Sequence, residues 1–315
     1  MSTIIVFAET ANGKFRKASL EAVSYAYAVS QLLGSSVKAI AFNATSAEEL
    51  YKYGASKVVN VTSEVLKTFD PTTYAKAIAK LIDSDIVIIP HTNNGGSLAG
   101  LLAIESNGAL ITNALEIPSS VSPFVVKRKS FSSKGIMQVE AGDGLKLITI
   151  LQGSYGIKEN QVEGSVEVIS IDELSTKLIT EEMLAANEKI DLKEADLVVS
   201  AGRGMKGPEN WGMIEELANL IGAATACSKP CSDIGWRPHS EHVGQTGKAI
   251  SPSLYIAVGI SGAIQHLAGV GSSNTIVVIN SDPEAPFFKA ADYGVVGDAF
   301  DIVPKLISEI KALNA

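Results

Sequence analysis

The stretch Val243-Gly-Gln-Thr-Gly-Lys-Ala-Ile-Ser-Pro-Ser-Leu-Tyr-Ile-Ala-Val-Gly-Ile-Ser-Gly-Ala-Ile-Gln-His266 decides how the rest of the chain is read. Its middle, 254–260, is a short continuous apolar run bounded by Pro252 before and Ser261-Gly262 after. That pattern marks a strand buried on both faces, as in the centre of a parallel sheet. After it, 261–266 passes directly into a segment with helical spacing that runs toward Gly269. A helix start leaves backbone N–H groups unpaired and attracts anions. Before the strand, Val243-Gly-Gln-Thr-Gly-Lys248 sets glycines around Gln245 and Thr246. The backbone can then approach a ligand closely, leaving an amide and a hydroxyl to bond a phosphate or a heteroaromatic edge. Either loop alone reads as an ordinary glycine turn; two on one strand favour a ligand.

Outward from this stretch, apolar runs at 196–201, 223–227, 275–280 and 294–297 read as further strands, with helical spacing at 209–221, 264–267, 287–291 and 302–313. Strand–helix alternation predicts an α/β domain with a doubly wound parallel sheet. In such a sheet the carboxyl ends of the strands converge on one crevice. Here those ends carry Gly202-Arg-Gly204, Ser228-Lys229, 261–266, Asn280-Ser-Asp282 and Asp298, a polar and glycine-rich set.

The N-terminal part alternates in the same way, with strands predicted at 3–8, 37–42, 58–61 and 85–90 and helices at 17–33, 47–53 and 72–82. Asp70-Pro71 supplies a start signal for the third helix. Pro90-His-Thr-Asn-Asn-Gly-Gly-Ser97 follows a strand, and its polar residues are expected to cap a helix at 98–104 through Asn94 or Ser97. From Pro123 the pattern changes to strands at 124–130, 135–141 and 146–152, separated by Ser132-Ser-Lys-Gly135 and Gly142-Asp-Gly144. Both separators read as hairpin turns, so antiparallel strands are expected to close this domain. Lys127-Arg-Lys129 reads as a solvated stretch or an interface rim. The chain turns charged between 170 and 195, placing a boundary near residue 190 and domains at 1–190 and 191–315.

Composition narrows the classes. A chain of 315 residues with 46% hydrophobic content has room for two cores. Twenty-six basic residues against 34 acidic ones give a net charge of −8, with no basic cluster of the kind nucleic acid requires. No apolar run reaches the length of a membrane span. The opening Met1-Ser-Thr-Ile-Ile-Val-Phe7 is already a strand and carries no leader pattern, which predicts a cytoplasmic protein, or one of the mitochondrial matrix if already processed. Cys227 and Cys231 fit neither a zinc site nor a dithiol motif and read as reduced structural thiols.

Gly202-Arg-Gly-Met-Lys-Gly207 satisfies G-x-G-x-x-G, yet the next strand ends in Cys227-Ser-Lys229 without the acid that would hold a ribose, and Pro208 spoils the third-glycine packing. A nicotinamide dinucleotide is therefore disfavoured. Neither P-loop, G-x-S-x-G nor H-E-x-x-H is present, and His91, His239, His242 and His266 are scattered. His266 is the one placed to donate to a ligand that gains negative charge. A cofactor carrier fits better than a hydrolase.

Arg203-Gly, Val243-Gly-Gln-Thr-Gly-Lys248, Gly259-Ile-Ser-Gly-Ala-Ile-Gln-His266, Asn280-Ser-Asp-Pro-Glu-Ala-Pro-Phe-Phe288 and Ala291-Asp-Tyr-Gly294 occur in the order in which they stand in the alpha subunit of electron transfer flavoproteins. Over residues 195–313 the chain closely resembles that family; the first domain agrees in length and βα pattern. The resemblance implies one FAD held mainly by the second domain. It also implies a heterodimer with a smaller beta subunit, which the first domain contacts and which leaves room for AMP or a second flavin. Electrons would come from acyl-CoA and other dehydrogenases, as in fatty acid beta-oxidation, and pass to a quinone oxidoreductase, with no substrate turnover by the carrier itself and no insertion into the membrane.

Carried over by motif position, Arg203, Val243, Gly244, Gln245, Thr246, Ser261, Gly262, Ala263, Ile264, Gln265 and His266 would contact FAD. Ser228 and Lys229 would lie by the ring system, and Asn280, Asp298 and Ala299 toward the adenosine. Lys229, Thr246 and His266 would tune the flavin, His266 from the N1 and C2 carbonyl side, where a donor favours one-electron transfer. One position departs: the resemblance implies an Arg, the usual residue of the family, where this chain has Lys229, which keeps the charge but neither stacks as a plane nor forks its donors. Arg237, eight residues on, is the guanidinium that could compensate. A subunit of an electron-bifurcating complex, a nicotinamide-dependent dehydrogenase and a non-redox nucleotide-binding assembly subunit remain as alternatives.

Overall fold

Apolar side chains that alternate along a strand must find cover on both faces, and the two units of the chain solve this in the same way. The computed structural model describes residues 3–131, 135–171, 174–176, 178–180, 191–193 and 195–313. The chain divides into Met1–Leu184 and Ala185–Ala315. The boundary expected near residue 190 lies outside the described residues.

In the first unit the elements run β1 (Thr3–Ala8), the two-residue pair β2 (Thr10–Ala11) and β3 (Lys14–Phe15), α1 (Lys17–Leu33), β4 (Ser36–Phe42), a 3-10 turn (Ala47–Tyr53), β5 (Lys57–Val61), α2 (Pro71–Ala79), β6 (Ile86–Pro90), α3 (Asn93–Glu105), β7 (Ala109–Ala114), β8 (Ser120–Val121), β9 (Phe124–Ser130), β10 (Gly135–Ala141), β11 (Lys146–Ile150) and β12 (Ser165–Ile169). Ten of these strands make one sheet in the order β10-β9-β7-β11-β6-β1-β4-β5-β12, with β8 on β9. Ile4, Val6 and Ala8 of β1 pack with α1 on one face, while Ile5 and Phe7 pack with residues of α2 and α3 on the other. Asp70 caps α2 by accepting from the Thr72 amide at 3.1 Å, with Pro71 in the first turn as expected.

Two expectations need correction here. Among the described residues of the large sheet, the antiparallel pairs all involve β9, with β7, β8 and β10; β11 is not the third strand of a meander but lies between β6 and β7, parallel to both. Leu147, Ile148, Thr149 and Ile150 are all buried, so this strand needs cover on both faces, which a central position supplies. Gly142-Asp-Gly144 therefore opens a crossing, not a hairpin, whereas the turn expected at Ser132-Ser-Lys-Gly135 falls partly outside the described residues. Helix α3 starts at Asn93, and its cap is Thr92, whose hydroxyl oxygen accepts from the Gly95 amide at 2.8 Å. Asn94 and Ser97 are already helical; Asn94 donates to Glu9, and Ser97 donates back to the Asn93 carbonyl.

The second unit holds β13 (Leu197–Ala201), α4 (Gly212–Leu220), β14 (Ala224–Cys227), the short α5 (Lys229–Asp233), β15 (Leu254–Val258), α6 (Ile264–Val270), β16 (Thr275–Asn280), β17 (Tyr293–Val296) and α7 (Ala299–Leu313). Its five strands are all parallel, in the order β14-β13-β15-β16-β17. The strand within the opening stretch is the central one. Val199, Ala201, Ile256 and Val258 face α4 and α7, whereas Val198, Tyr255, Ala257 and Val278 face Val243, Val270 and Phe287. Chain order reverses across β13, so a crevice is expected at the carboxyl ends of β13 and β15.

Candidate functional site

A cavity of about 530 Å³ opens at that reversal. The segment after β13 contributes Arg203 and Gly204, that after β14 Ser228 and Lys229, that after β15 Gly259, Ile260 and Ser261, and the end of β16 Asn280 with Asp282 just beyond it. The loop before β15 supplies Val243, Gly244, Gln245 and Thr246, and the turn after it Ala263, Gln265 and His266. These two segments are tied together: the Gln245 amide donates to the Gln265 carbonyl at 2.7 Å, and the Ile250 amide to the Gly269 carbonyl at 2.9 Å. Val243 is anchored to the end of β14 by its amide, 3.1 Å from the Cys227 carbonyl.

Close backbone approach explains the glycines. A Cβ on Gly204 would lie 2.6 Å from the Gly259 Cα, and the Gly204 amide donates to the Gly259 carbonyl at 3.1 Å. One on Gly269 would lie 2.5 Å from the Gly244 Cα. The string Gly202-Arg-Gly204 thus packs one strand end against another and runs into a 3-10 turn (Arg203–Met205), not into the helix of a dinucleotide fingerprint.

The site is rich in unused donors. Among the described residues the backbone N–H groups of Gly262, Ala263, Ile264 and Gln265 have no protein acceptor, and neither Arg203 nor Lys229 has an ion-pair partner. In a chain of net charge −8, such a set of donors and cations at one crevice selects for an anion. His266 is 6% exposed; its Nε2 lies 2.8 Å from the Tyr255 hydroxyl, and its Nδ1 is buried without a hydrogen-bond partner. Its approach to the Val243 backbone favours protonation slightly but falls short of hydrogen-bond geometry. Burial, followed by the neighbouring His242, pushes the His266 imidazole down to about 4, so it is neutral at pH 7. His242 is lowered as well, chiefly by burial and with Lys229 and His239 adding, against the opposing charge of Asp233.

Not every expected residue faces the cavity. Gly262 packs on the Phe287 backbone and the Ile264 side chain is exposed, so these two offer amides only. Asp298 lies beyond the lining, where it caps α7 by accepting from the Phe300 amide at 3.0 Å and pairs with the Lys206 ammonium at 3.3 Å; Ala299 is buried in the core beside it. Arg237 cannot compensate for Lys229. Its guanidinium is forked onto Glu241 with two bonds of 2.7 Å and reaches Glu215 at 2.8 Å, outside the cavity. Cys227 and Cys231 are free and buried, and burial pushes the Cys227 thiol up to about 12. Gly204, Pro230, His242, Gly259, Ile260 and Asp282 line the cavity without having been singled out as contacts. His242 had a legible signal, since it immediately precedes the glycine loop.

Residues 4–175 match the electron transfer flavoprotein domain, and residues 191–271 the electron transfer flavoprotein FAD-binding domain. The electron transfer flavoprotein subunit alpha of Bacillus subtilis (strain 168) is 36% identical, covering 99% of this chain and 98% of its own. That of Pseudomonas aeruginosa is 37% identical over 96% of this chain and 98% of its own. The chain belongs to the electron transfer flavoprotein alpha-subunit family. Its cofactor is FAD and its role that of a redox carrier. The resemblance first read over the second unit thus extends through the first. The donors of the cavity suit this group: two phosphates need amides and cations, and an acceptor-rich ring needs a buried donor such as the unpartnered imidazole nitrogen of His266. Among the described residues, no helix is long and apolar enough to cross a membrane.

Proposed function

We propose that FAD lies in this cavity along the carboxyl edge of the five-stranded sheet. Arg203 and the amides of Gly262, Ala263, Ile264 and Gln265 face its pyrophosphate. Ser228, Lys229, Val243, Gly244, Gln245, Thr246, Ser261 and His266 surround the ring and ribityl part. Asn280 takes the adenosine side, while Asp298 and Ala299 at the start of α7 lie beyond the lining. Bound there, FAD supplies reversible electron storage, while these residues orient it and hold a neutral donor against it. The observation that carries the reading is the buried, unpartnered Nδ1 of His266, a residue that lines a cavity with free amides. An unsatisfied buried polar atom costs about 1–3 kcal/mol, which a cofactor acceptor would recover.

The chain would serve as a carrier without a substrate of its own, accepting electrons from dehydrogenases of the acyl-CoA type and passing them to a quinone oxidoreductase, in a heterodimer with a beta subunit. The first unit supports such a partner: edge strand β10 exposes Ile136 and Met137, and Phe131 beside it is 80% exposed. Exposed apolar groups on a sheet edge are a liability unless a partner covers them. The test is equilibrium binding of FAD to the chain produced with a beta subunit, followed by flavin absorbance. Arg203→Ala should weaken binding about tenfold or more, as expected for a charged hydrogen bond of about 1.5–3 kcal/mol. Unchanged affinity would remove Arg203 from the pyrophosphate.

A further inference from the structure

Tyr255 is completely buried on β15, and among the described residues its hydroxyl has one hydrogen bond of proper geometry, with His266 Nε2. The imidazole is wedged between two rings: Phe287 meets it edge-on at 5.7 Å, and the Tyr255 ring stands 6.1 Å away. Tyr255 and Phe287 themselves stack at 6.3 Å, so the ring plane of His266 is set by packing and one bond.

Two arrangements of protons satisfy the 2.8 Å contact. In one, the phenol donates to a bare Nε2 and the imidazole proton sits on Nδ1. In the other, Nε2–H donates to the phenol oxygen, Nδ1 is bare, and the phenol proton must find another acceptor. Among the described residues no such acceptor is in place: Ser200, the neighbouring hydroxyl on β13, makes no hydrogen bond of proper geometry and is itself unsatisfied. The second arrangement therefore leaves the phenol proton and Nδ1 both unsatisfied, whereas the first leaves Nδ1–H alone. Each unmet buried group costs more than a made bond returns, so the first arrangement wins. Burial reinforces it by holding the phenol protonated and the imidazole neutral.

We propose that Tyr255 is a positioning residue that fixes the tautomer of His266, placing the proton on Nδ1 so that the imidazole presents a donor, not a lone pair, to the bound cofactor. This deepens the cavity reading above and rests on it for the identity of the acceptor. A histidine without such a partner could offer either face; with it, the donor is set before the cofactor arrives, and no reorientation is needed when negative charge develops.

Ring nitrogen correlation spectroscopy on the 15N-labelled full chain, with FAD and after its removal, tests this directly, with His266→Gln used to assign the signal among the four histidines. The expected result is a proton on Nδ1 and an accepting Nε2 in the wild type in both forms. Tyr255→Phe keeps the ring and removes the hydroxyl; in the FAD-free chain it should shift His266 toward protonation at Nε2. In the loaded chain it should weaken FAD about fivefold, the weight of one hydrogen bond, and lower the first-electron potential. A wild-type proton on Nε2 overturns the proposal, and so does an unchanged tautomer in Tyr255→Phe. Should that variant fail to fold, the wild-type spectrum still decides. If FAD fails to bind the wild type, the cavity reading falls, while the tautomer of the FAD-free chain continues to judge Tyr255.

Discussion

Both sheets reverse chain order across a strand, β1 in the first unit and β13 in the second, yet their carboxyl edges are built for opposite ends. After β1 comes Glu9, a buried carboxylate that accepts from the Thr92 hydroxyl and the Asn94 amide and pairs with Arg16 at 3.0 Å. It fills the start of α3 with an anion that belongs to the chain itself. After β13 comes Gly202-Arg203-Gly204, with no carboxylate in that place and with unused amides and cations around it. One topology thus gives a sealed edge and an open one, because a single side chain after the first strand decides whether the donors are consumed internally.

The largest test of this contrast is pH. His266 in the open edge stays neutral in the fold down to about 4, while in the unfolded chain it takes up a proton near 6.5. Its contribution to the stability of the FAD-free chain is therefore fully present above pH 6.5 and lost as pH falls toward 4, on the order of 3 kcal/mol. Urea unfolding of the wild type and His266→Gln at pH 7 and pH 4.5 should show a smaller pH loss in the variant. Equal losses would mean that the imidazole is not held neutral.

Packing comes next. Gly204→Ala drives a Cβ into the Gly259 backbone and should cost about 1–3 kcal/mol with FAD binding weakened about tenfold or more. The matched change in the sealed edge, Gly96→Ala, meets only an ordinary 3.5 Å contact with the His91 ring within α3. It should stabilise by up to about 1 kcal/mol and leave FAD untouched. Thermal melts and flavin absorbance read both; similar behaviour of the two variants would erase the distinction.

Glu9→Gln removes the internal anion and should lower stability by about 1–2 kcal/mol, again with unchanged FAD affinity. A variant that bound FAD less well would couple the two edges in a way that neither site's bonding explains. The smallest effect is expected from Lys229→Arg. A planar guanidinium at that rim should raise the first-electron potential by about 20–40 mV, the equivalent of about 0.5–1 kcal/mol for a cation over a ring. Spectroelectrochemical titration checks the sign, and a fall in potential would place Lys229 away from the ring.

Much of this contrast was legible in local pattern. The apolar run before Ser261 and the glycines around Gln245-Thr246 identified the central strand and its two loops, since strand burial and close backbone approach leave marks within a few residues. The interior strand β7 and the edge strand β12 escaped notice. Ser-Val-Glu-Val-Ile of β12 breaks its apolar run with a charge, as an edge strand whose Val166 and Val168 stay exposed can, and its Glu167 pairs with Lys57 of β5 at 2.7 Å. Glu9, the residue that seals the first edge, looked like any acid after a strand. Its role depends on Thr92 and Asn94, more than eighty positions away.

Alternation of apolar runs, turn glycines and ordered motifs determined by themselves that the chain has two parallel-sheet units and that the second carries the cofactor loops. Those features arise from backbone geometry and burial acting over a few residues. Tertiary structure alone decided that β11 enters the middle of its sheet, that Arg237 is consumed by Glu215 and Glu241, that Asp298 pairs with Lys206, and that Tyr255 orients His266. Each is a choice of partner among groups distant in sequence. Such choices are settled by which polar atoms the packed fold leaves unsatisfied.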